Sequence, residues 1–488
     1  MLYRPHSYAS LLSALLLCAC TVGPDYQGPP QAAPIAEKSP AFHRATLSNA
    51  DNSPPATRWW EALQDPELNR LITAALEQSP NIKAAQARLR QARAGLREQQ
   101  RNALPTVSAS AVYLHAQVPN LGAATGQGGG TGTSSTDLDF YNAGFDATWE
   151  LDLFGGTRRA IEAAKAQAQV SEADLEDLHV SLAAEVAQAY VTLRSQQQRL
   201  VLSRQSADLE SKMLALTQQR RARGAASDAD IERLRTQLET TQGTLIPLRG
   251  QFEASLDQLA VLTGREPGAL DDELTVSAPI PSLPAKVIVG DPASMLRRRP
   301  DIREAERNLA AANAQIGTQI ANLFPKITLL GDIGWGSTDI GHLFDGRSFT
   351  PIAAPILQWN VLDFGRTHAK ISQAEAGRDE AAAKYEAAVL SALQDAETSL
   401  SRFGRQQENI VSLERIAASA DRSAALTHQR NEVGAASMID VLDAERTRLN
   451  AEQNLSAGQA ELVADYASLQ KSLGLGWSDP VVNVAASH

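Results

Sequence analysis

The sequence is poor in the residues and motifs on which most enzyme chemistry depends. Only two cysteines occur, both within the first twenty residues, and aromatic residues make up 5% of the chain. We find no Gly-Lys-Ser/Thr phosphate loop, no His-Glu-x-x-His pair and no nucleophile elbow. The net charge of −11 disfavours a nucleic-acid partner, which would need a basic face. We therefore predict a protein that is not an enzyme and binds no metal, no dissociable cofactor and no nucleic acid.

The N-terminus has the pattern of an exported lipoprotein. Arg4 precedes a short apolar run at 11–17, which suits a secretory signal peptide and is too short to span a bilayer. Leu and Ala, three and one residues before Cys20, resemble a bacterial lipobox. This predicts removal of residues 1–19 and a covalent lipid on Cys20, with an N-acyl and an S-diacylglycerol group. Thr21 is compatible with sorting to the outer membrane. An ordinary signal peptide, with Cys20 unmodified, is the alternative.

An internal repeat organises the rest of the chain. Segments of the first half return in the same order, 220 positions later before the predicted strands and 210 positions later after them. The matching positions are Pro80 and Pro300, Asn102 and Asn322, Pro105 and Pro325, Trp149 and Trp359, Phe154-Gly155 and Phe364-Gly365, Gly224 and Gly434, Ser227 and Ser437, and Gly264 and Gly474. We predict an N-terminal segment at 20–65, repeats at 66–264 and 299–474, a linker at 265–298 and a tail at 475–488.

Each repeat is predicted to run helix, strand, loop, strand, long helix, turn, helix. Helical periodicity without proline continues over 157–223 and 367–433. At about 1.5 Å per residue, each of these helices would be roughly 100 Å long. Such helices suit a coiled-coil assembly or a tunnel wall. Gly224 and Gly434 then mark the turns into the last helix of each repeat.

The chain is predicted to carry four strands, in pairs at about 104–153 and 325–363. Apolar and polar residues alternate from Tyr141 to Asp152, which gives one apolar face. An open sheet in lipid would leave unpaired backbone groups at both edges, each costing several kcal/mol. Two copies would close an eight-stranded barrel filled by side chains, and three would close twelve strands around the start of a lumen. A soluble hairpin domain on a helical stalk is the alternative.

Several strings of residues, spread over nearly the whole mature chain, carry a family resemblance. They are Cys20-Thr21-Val22-Gly23-Pro24-Asp25-Tyr26, Trp59-Trp60, Asp65-Pro66-Glu67-Leu68, Arg298-Arg299-Pro300-Asp301-Ile302 with Ala305-Glu306, Phe324-Pro325, Leu362-Asp363-Phe364-Gly365 and Asp440-Val441-Leu442-Asp443-Ala444. The sequence resembles the outer-membrane efflux proteins, the TolC-like family. Within it, the chain is most similar to the lipoprotein (NodT-type) branch that works with resistance-nodulation-division (RND) pumps.

The resemblance implies a mixed α and β membrane protein that forms a homotrimer. Twelve strands would form a transmembrane barrel in outer-membrane lipid, continuous with a twelve-helix periplasmic coiled-coil tunnel. The segment before Asp65, the linker at 266–292 and the tail would form a belt around it. A periplasmic adaptor (membrane fusion) protein and an inner-membrane RND pump would deliver drugs or toxic compounds to this passive duct. Ducts for type I protein secretion or metal-ion export, and a purely structural periplasmic stalk, are the alternatives.

The resemblance also implies a gate and a docking site at the periplasmic turns, 223–233 and 433–443. The family's acidic constriction corresponds to Asp440 and Asp443, which in three copies would form a ring of up to six carboxylates. Mutual repulsion would raise their pKa values, and the ring would attract cations. The alternative is a role as helix cap near Ser437, or simple exposure to solvent.

Asp230 matches an aspartate that the family's latch bonds to a Tyr and an Arg. Those two positions hold Asn431 and Ala436 here, so we expect other contacts to hold the gate, with arginines as the candidates: Arg220, Arg221, Arg223 and Arg430. The resemblance assigns adaptor docking to the two turn tips, which are Arg223, Gly224 and Ala225, and Val433, Gly434 and Ala435. A glycine needed only for the turn is the alternative reading of Gly224 and Gly434.

Overall fold

The computed structural model describes residues 21–45, 50–51, 57–119 and 135–477. The predicted signal peptide, the lipidation site Cys20, most of the loop at 122–136 and residues 478–488 lie outside the described residues. The chain divides into two compact units. Unit one consists of 1–30, 90–170 and 305–384, and unit two of 31–89, 171–304 and 385–488.

Both halves of the chain show the same order of elements, which confirms the predicted repeat. The first half contains α1 (Pro66–Gln78), α2 (Pro80–Arg101), β1 (Thr106–Pro119), β2 (Ser135–Leu151), α3 (Gly156–Ala222) and α4 (Asp228–Leu262). The second half contains α5 (Pro292–Arg298), α6 (Pro300–Ala321), β3 (Lys326–Ser337), β4 (Phe349–Gln358), α7 (Arg366–Glu432) and α8 (Met438–Ser472). The two long helices, α3 and α7, have 67 residues each, within one residue of the predicted ends.

Short elements lie between these. They are single 3-10 turns at Ala36–Lys38, Trp59–Leu63 and Ile340–His342, a helical turn at Asp271–Leu274 and a two-residue parallel pairing of Ala50–Asp51 with Val287–Ile288. That pairing, within unit two, joins the N-terminal segment to the linker that separates the repeats. Throughout the described residues, every helix is either too short or too polar to traverse a lipid bilayer.

Unit one contains a four-stranded antiparallel meander in the order β1-β2-β3-β4. Its register confirms the alternation predicted from the sequence, since Ala147 of β2 lies opposite Val107 of β1 and Gly331 of β3. A tryptophan at the end of each strand pair forms the same hydrogen bond. The indole of Trp149 donates to the carbonyl of Ala103 at 3.0 Å. The indole of Trp359 donates to that of Leu323, also at 3.0 Å.

Unit two has an apolar core to which both repeats contribute. Its fully buried side chains include Leu68, Leu71 and Ile72 of α1, Tyr190 and Leu193 of α3, Leu259 of α4, Leu400 and Phe403 of α7, and Leu469 of α8. Asp65 caps α1 by accepting from the backbone N–H groups of Glu67 and Leu68 at 2.9 and 3.0 Å. The hydroxyl of Tyr190 donates to the same carboxylate at 2.8 Å, which ties α3 to this cap.

The Arg-Arg-Pro-Asp string closes the end of α8, also within unit two. Arg298 donates to the carbonyl of Leu473 through two nitrogens, at 3.2 and 2.8 Å. The buried Arg299 donates to the carbonyl of Ser472 at 2.8 Å and pairs with Asp301 at 2.6 Å. Two arginines therefore satisfy carbonyl groups that a helix end leaves without intrahelical partners.

We predict that Arg299→Ala destabilises the protein by about 3 kcal/mol, because it leaves buried carbonyl groups and Asp301 without their partner. The measurement is denaturant unfolding followed by circular dichroism. Arg297→Ala is the matched control, since Arg297 lies two residues earlier, in α5, and is exposed. Equal stability of the two variants would contradict this role for Arg299.

Candidate functional site

The two turns that join α3 to α4 and α7 to α8 share one backbone geometry. Gly224 and Gly434 have φ values of +75° and +77°, and no atom lies within 4 Å of a Cβ added at either position. The N–H of Ala225 donates to the carbonyl of Arg220, and that of Ala435 to Arg430, at 2.9 and 2.7 Å. This is the Schellman pattern of a helix C-terminus. The left-handed conformation, and not crowding, therefore accounts for both glycines within the chain.

The helix after each turn begins with the same cap. Ser227 and Ser437 each accept from the backbone N–H three residues later, and the aspartate at that position bonds back to the serine. Oδ2 of Asp440 accepts from the N–H of Ser437 at 2.7 Å and from its hydroxyl at 2.8 Å. Oδ2 of Asp230 accepts from Ser227 in the same way, at 3.1 and 2.7 Å. Two of the three predicted gate residues, Asp230 and Asp440, thus have a local role as capping-box partners.

These caps favour ionised carboxylates. The hydroxyl and backbone N–H of Ser437 lower the pKa of Asp440, and those of Ser227 lower the pKa of Asp230. The shift is opposite to the rise that we predict for a ring of six carboxylates. The lowered pKa values are those of a single chain, whereas the ring of six carboxylates in a trimer is still a prediction.

Asp443 differs from the other two aspartates. It lies one helical turn after Asp440 on α8, and its carboxylate pairs with Arg446 at 3.2 Å. The repeat offset of 210 matches Asp440 with Asp230, but it matches Asp443 with Arg233. The acid at 440 is therefore explained by the cap that both repeats share, whereas the acid at 443 has no such explanation. Among these three aspartates, Asp443 is the one whose carboxylate takes no part in a cap in the described contacts.

The two turns are closed by different side chains. In the first turn, Arg221 forms two hydrogen bonds to Asp228, at 2.8 and 2.9 Å. In the second, Asn431 replaces that arginine in the repeat, and its Nδ2 donates to the carbonyl of Ala436 at 2.8 Å. Asn431 and Ala436, the two departures from the family's latch, therefore bond to each other within their own turn. Among the other candidate arginines, Arg430 donates to the carbonyl of Ala435 at 3.2 Å.

A ladder of charged side chains below the second turn was not predicted from the sequence. His428 of α7 contacts Glu445 of α8 at 2.9 Å, Glu445 pairs with Arg448 at 2.8 Å, and Arg448 pairs with Glu452 at 2.6 Å. Burial opposes the ionisation of Glu445, but the hydrogen bonds from Arg448 and His428 outweigh it and lower its pKa. The three- and four-residue spacing on α8 is a readable signal. The contact between Glu445 and His428 cannot be read from the spacing, because it depends on how α7 and α8 pack on either side of the turn at Gly434.

A small apolar cluster joins the two helix pairs near these turns. It consists of Met213, Leu234 and Leu442, with Leu209, Leu214 and Met438 packed around it. Within the residues that the structure describes, no group of His, Cys, Asp and Glu side chains could hold a metal ion. The site therefore offers exposed carboxylates and arginines at two glycine turns, and its chemistry is electrostatic.

Comparison with known proteins extends over nearly the whole chain. The sequence profile of the family "Outer membrane efflux protein" matches residues 71–265 and 292–475. Outer membrane protein OprJ of Pseudomonas aeruginosa is 30% identical over 475 residues, which is 96% of each chain. The antibiotic efflux pump outer membrane protein ArpC of Pseudomonas putida is 30% identical over 470 residues, covering 96% of this chain and 94% of the relative.

The structure of the outer-membrane channel OprN superimposes with a TM-score of 0.84 and 32% identity, covering 94% of this chain and all of that one. The fold, the sequence profile and the relatives agree. The chain belongs to the outer membrane efflux protein family, and it is an outer-membrane channel component of an efflux system and not an enzyme.

Proposed function

We propose that the chain forms a homotrimeric duct that completes a tripartite pump. It receives drugs or other toxic small molecules from a periplasmic adaptor and an inner-membrane RND pump, and conducts them through the outer membrane. The observation that carries the proposal is a four-stranded sheet with an exposed apolar face and one unpartnered edge on each outer strand, among the described residues. The similarity to ArpC, an antibiotic efflux pump outer membrane protein, supports the substrate class.

One face of the sheet suits lipid. Tyr113 is 59% exposed and Phe145 58%, and both belong to the apolar set that alternates along the strands. At the end of the sheet beyond Tyr113, His115 and Tyr113 both bond to Asp139 at 2.9 Å. An apolar band that ends in aromatic and polar residues is typical of a strand that crosses an outer membrane.

The free edges of the sheet favour further copies of the chain as the partner. Inside one chain, repeat one meets repeat two where β2 pairs with β3, and there Phe154 stacks on Phe324 with ring centroids 4.6 Å apart. By the repeat offsets, Phe364 corresponds to Phe154, and Leu104 corresponds to Phe324. Phe364 is 90% exposed and Leu104 is 50% exposed. These residues lie next to the two free edges of the sheet. A second copy would therefore cover Phe364 as Phe324 covers Phe154.

The same reasoning gives the register between subunits. Within the chain, Ala147 lies opposite Gly331 and Phe145 opposite Ile333. Adding the repeat offset of 210 to the β2 residue of each pair gives its counterpart in β4. Subtracting 220 from the β3 residue gives its counterpart in β1. Leu357 should face Ala111 of the next subunit, and Pro355 should face Tyr113.

We predict that the double variant Leu357→Cys/Ala111→Cys forms disulfides between subunits, because facing residues on paired strands bring their Cβ atoms within reach. Pro355→Cys/Tyr113→Cys samples the neighbouring pair. The measurement is non-reducing electrophoresis of oxidised outer membranes. Covalent species should extend to three chains and no further.

Leu357→Cys/Val112→Cys is the matched control, since Val112 points to the opposite face of the sheet. Cross-linking that stops at two chains would indicate an eight-stranded barrel. Cross-linking as strong in the control as in the predicted pairs would contradict the register.

We predict that Asp443→Ala weakens the block of the channel by multivalent cations added from the periplasmic side, by about tenfold or about 1.4 kcal/mol. Three carboxylates would leave the constriction of the trimer, and the attraction for cations falls with them. The measurement is the current through purified channels in planar bilayers.

Ser437→Ala separates charge from fold, because it removes the cap hydroxyl and leaves all six carboxylates in place. Block by cations should persist in that variant. An unchanged block after replacement of both Asp440 and Asp443 by Ala would rule out the acidic constriction.

We predict that Gly434→Asn leaves the turn and the trimer intact but weakens binding of the adaptor and lowers drug resistance, if the tips dock end to end. Asn tolerates the left-handed conformation, and the space beside Gly434 is open within the chain. The measurement is co-purification of the adaptor together with drug susceptibility.

Gly268→Asn is the matched control, because Gly268 has a φ of +87° and an equally open position away from the turns. Co-purification of the adaptor at the wild-type level with Gly434→Asn would argue that the glycine serves the turn alone.

A further inference from the structure

The first described residues of the chain, 21–26, lie in a groove of unit one. We call this segment the strap. The N–H of Val22 donates to the carbonyl of Phe154 at 3.0 Å, as a strand would. Nδ2 of Asn313 donates to the carbonyl of Pro24 at 2.9 Å. The hydroxyl of Tyr26 donates to Glu306 at 3.4 Å. Backbone groups of the strap are thus bonded to both walls of the groove, which are the residues just before α3 and the middle of α6.

Arg159 forms the floor of this groove. Its side chain is only 4% exposed. The guanidinium donates to the carbonyl of Val22 at 3.1 Å, to that of Gly23 at 3.0 Å and to Asp25 at 2.7 Å. The guanidinium also donates to Glu162 at 2.8 Å. A buried cation needs such partners, because losing them would leave its charge without compensation. Three of the four bonds come from the strap.

Glycines allow the backbones to approach closely. Gly23 has a φ of +88°, and a Cβ added to it would lie 2.4 Å from Cα of Gly317. A Cβ added to Gly155 would lie 2.6 Å from Cγ2 of Thr21. A Cβ added to Gly317 would lie 2.7 Å from Cγ of Arg159. Each distance is shorter than van der Waals contact allows, so side chains at these three positions would displace the strap or its arginine.

The groove does not recur in the other repeat. The position in the first repeat that corresponds to Gly317, at the offset of 220, holds Arg97. The position in the second repeat that corresponds to Arg159, at the offset of 210, holds Ala369. A side chain at the first position would collide with the side chain at the position of Arg159, and the second position would lack the buried cation. The joint that we propose between subunits therefore has no site for the strap, and each chain offers one.

We propose that this groove is a dedicated binding site for the strap. Arg159 is a positioning residue, which binds two backbone carbonyls of the Val-Gly-Pro-Asp sequence and the carboxylate of its aspartate. Thr21 contacts Gly155, immediately before α3, and a peptide bond places consecutive Cα atoms only about 3.8 Å apart. A lipid on Cys20 would thus be attached, through one peptide bond, to a strap that is fixed beside the junction of β2 and α3. This consequence for the lipid rests on the proposed lipidation of Cys20, but the groove itself does not.

The test is amide hydrogen exchange of the full-length protein, read on peptides that cover residues 21–26. In the wild type the Val22 amide should be protected. Gly23→Ala and Arg159→Ala should each lower this protection by about tenfold or more, because the strap leaves the groove.

Two matched controls should keep the protection. Gly28→Ala introduces a side chain at a φ of +102° two residues after the strap, but no atom lies within 4 Å of the added Cβ. Arg158→Ala removes the neighbouring arginine, which pairs with Asp152. An unprotected Val22 in the wild type, or equal losses in Gly23→Ala and Gly28→Ala, would overturn the proposal.

Cys20→Ala, exported with a signal peptide that is not a lipoprotein signal, separates the groove from the lipid. Protection of Val22 should be retained in this variant. Loss of protection to the level of Gly23→Ala would show that the lipid, and not the groove, holds the strap. The mass of the wild-type N-terminus tests lipidation independently, since an unmodified Cys20 would refute the lipid anchor and leave the groove unaffected.

Discussion

The pairing of backbone hydrogen-bond groups along a sheet edge is the constraint on which the rest of this molecule depends. The described chain supplies four strands, and its outer strands β1 and β4 each pair on one side only. In water such edges are tolerable, but in hydrocarbon every unpaired N–H or carbonyl costs several kcal/mol. A sheet with an apolar face and open edges therefore supports the proposed closure by further copies of the chain. Membership of the outer membrane efflux protein family agrees with this physical requirement.

The repeat makes the requirement specific, because one chain already contains an example of the missing contact. Where the two repeats meet, Phe154 is covered by Phe324, but the corresponding Phe364 is almost fully exposed. Positions where the repeats differ are equally informative. Asp443 stands where the first repeat has Arg233, and Arg159 stands where the second has Ala369. The difference at Asp443 supports the proposed acidic constriction. The difference at Arg159 supports the proposed site of the N-terminal strap. Shared positions such as Ser227 and Ser437 serve the fold.

Much of the fold could be predicted from the sequence, because periodicity and turn chemistry are local. The long helices end within one residue of their predicted limits, and the alternation from Tyr141 onwards agrees with the observed register. The site was less accessible. The local bond between Asn431 and Ala436, and the contact between His428 and Glu445, depend on how a hairpin closes. The role of Asp440 as a cap was readable as the alternative, since Ser437 lies three residues earlier. The burial of Arg159 against the strap joins residues more than 130 positions apart, and no local pattern shows it.

The claim that the sheet closes only with two further copies is tested most directly by native mass spectrometry of the protein released from outer membranes in mild detergent. The account predicts a complex of three chains, each with the mass of residues 20–488 plus its lipid. A stable complex of two chains, or a monomer that remains folded and soluble without detergent, would contradict it.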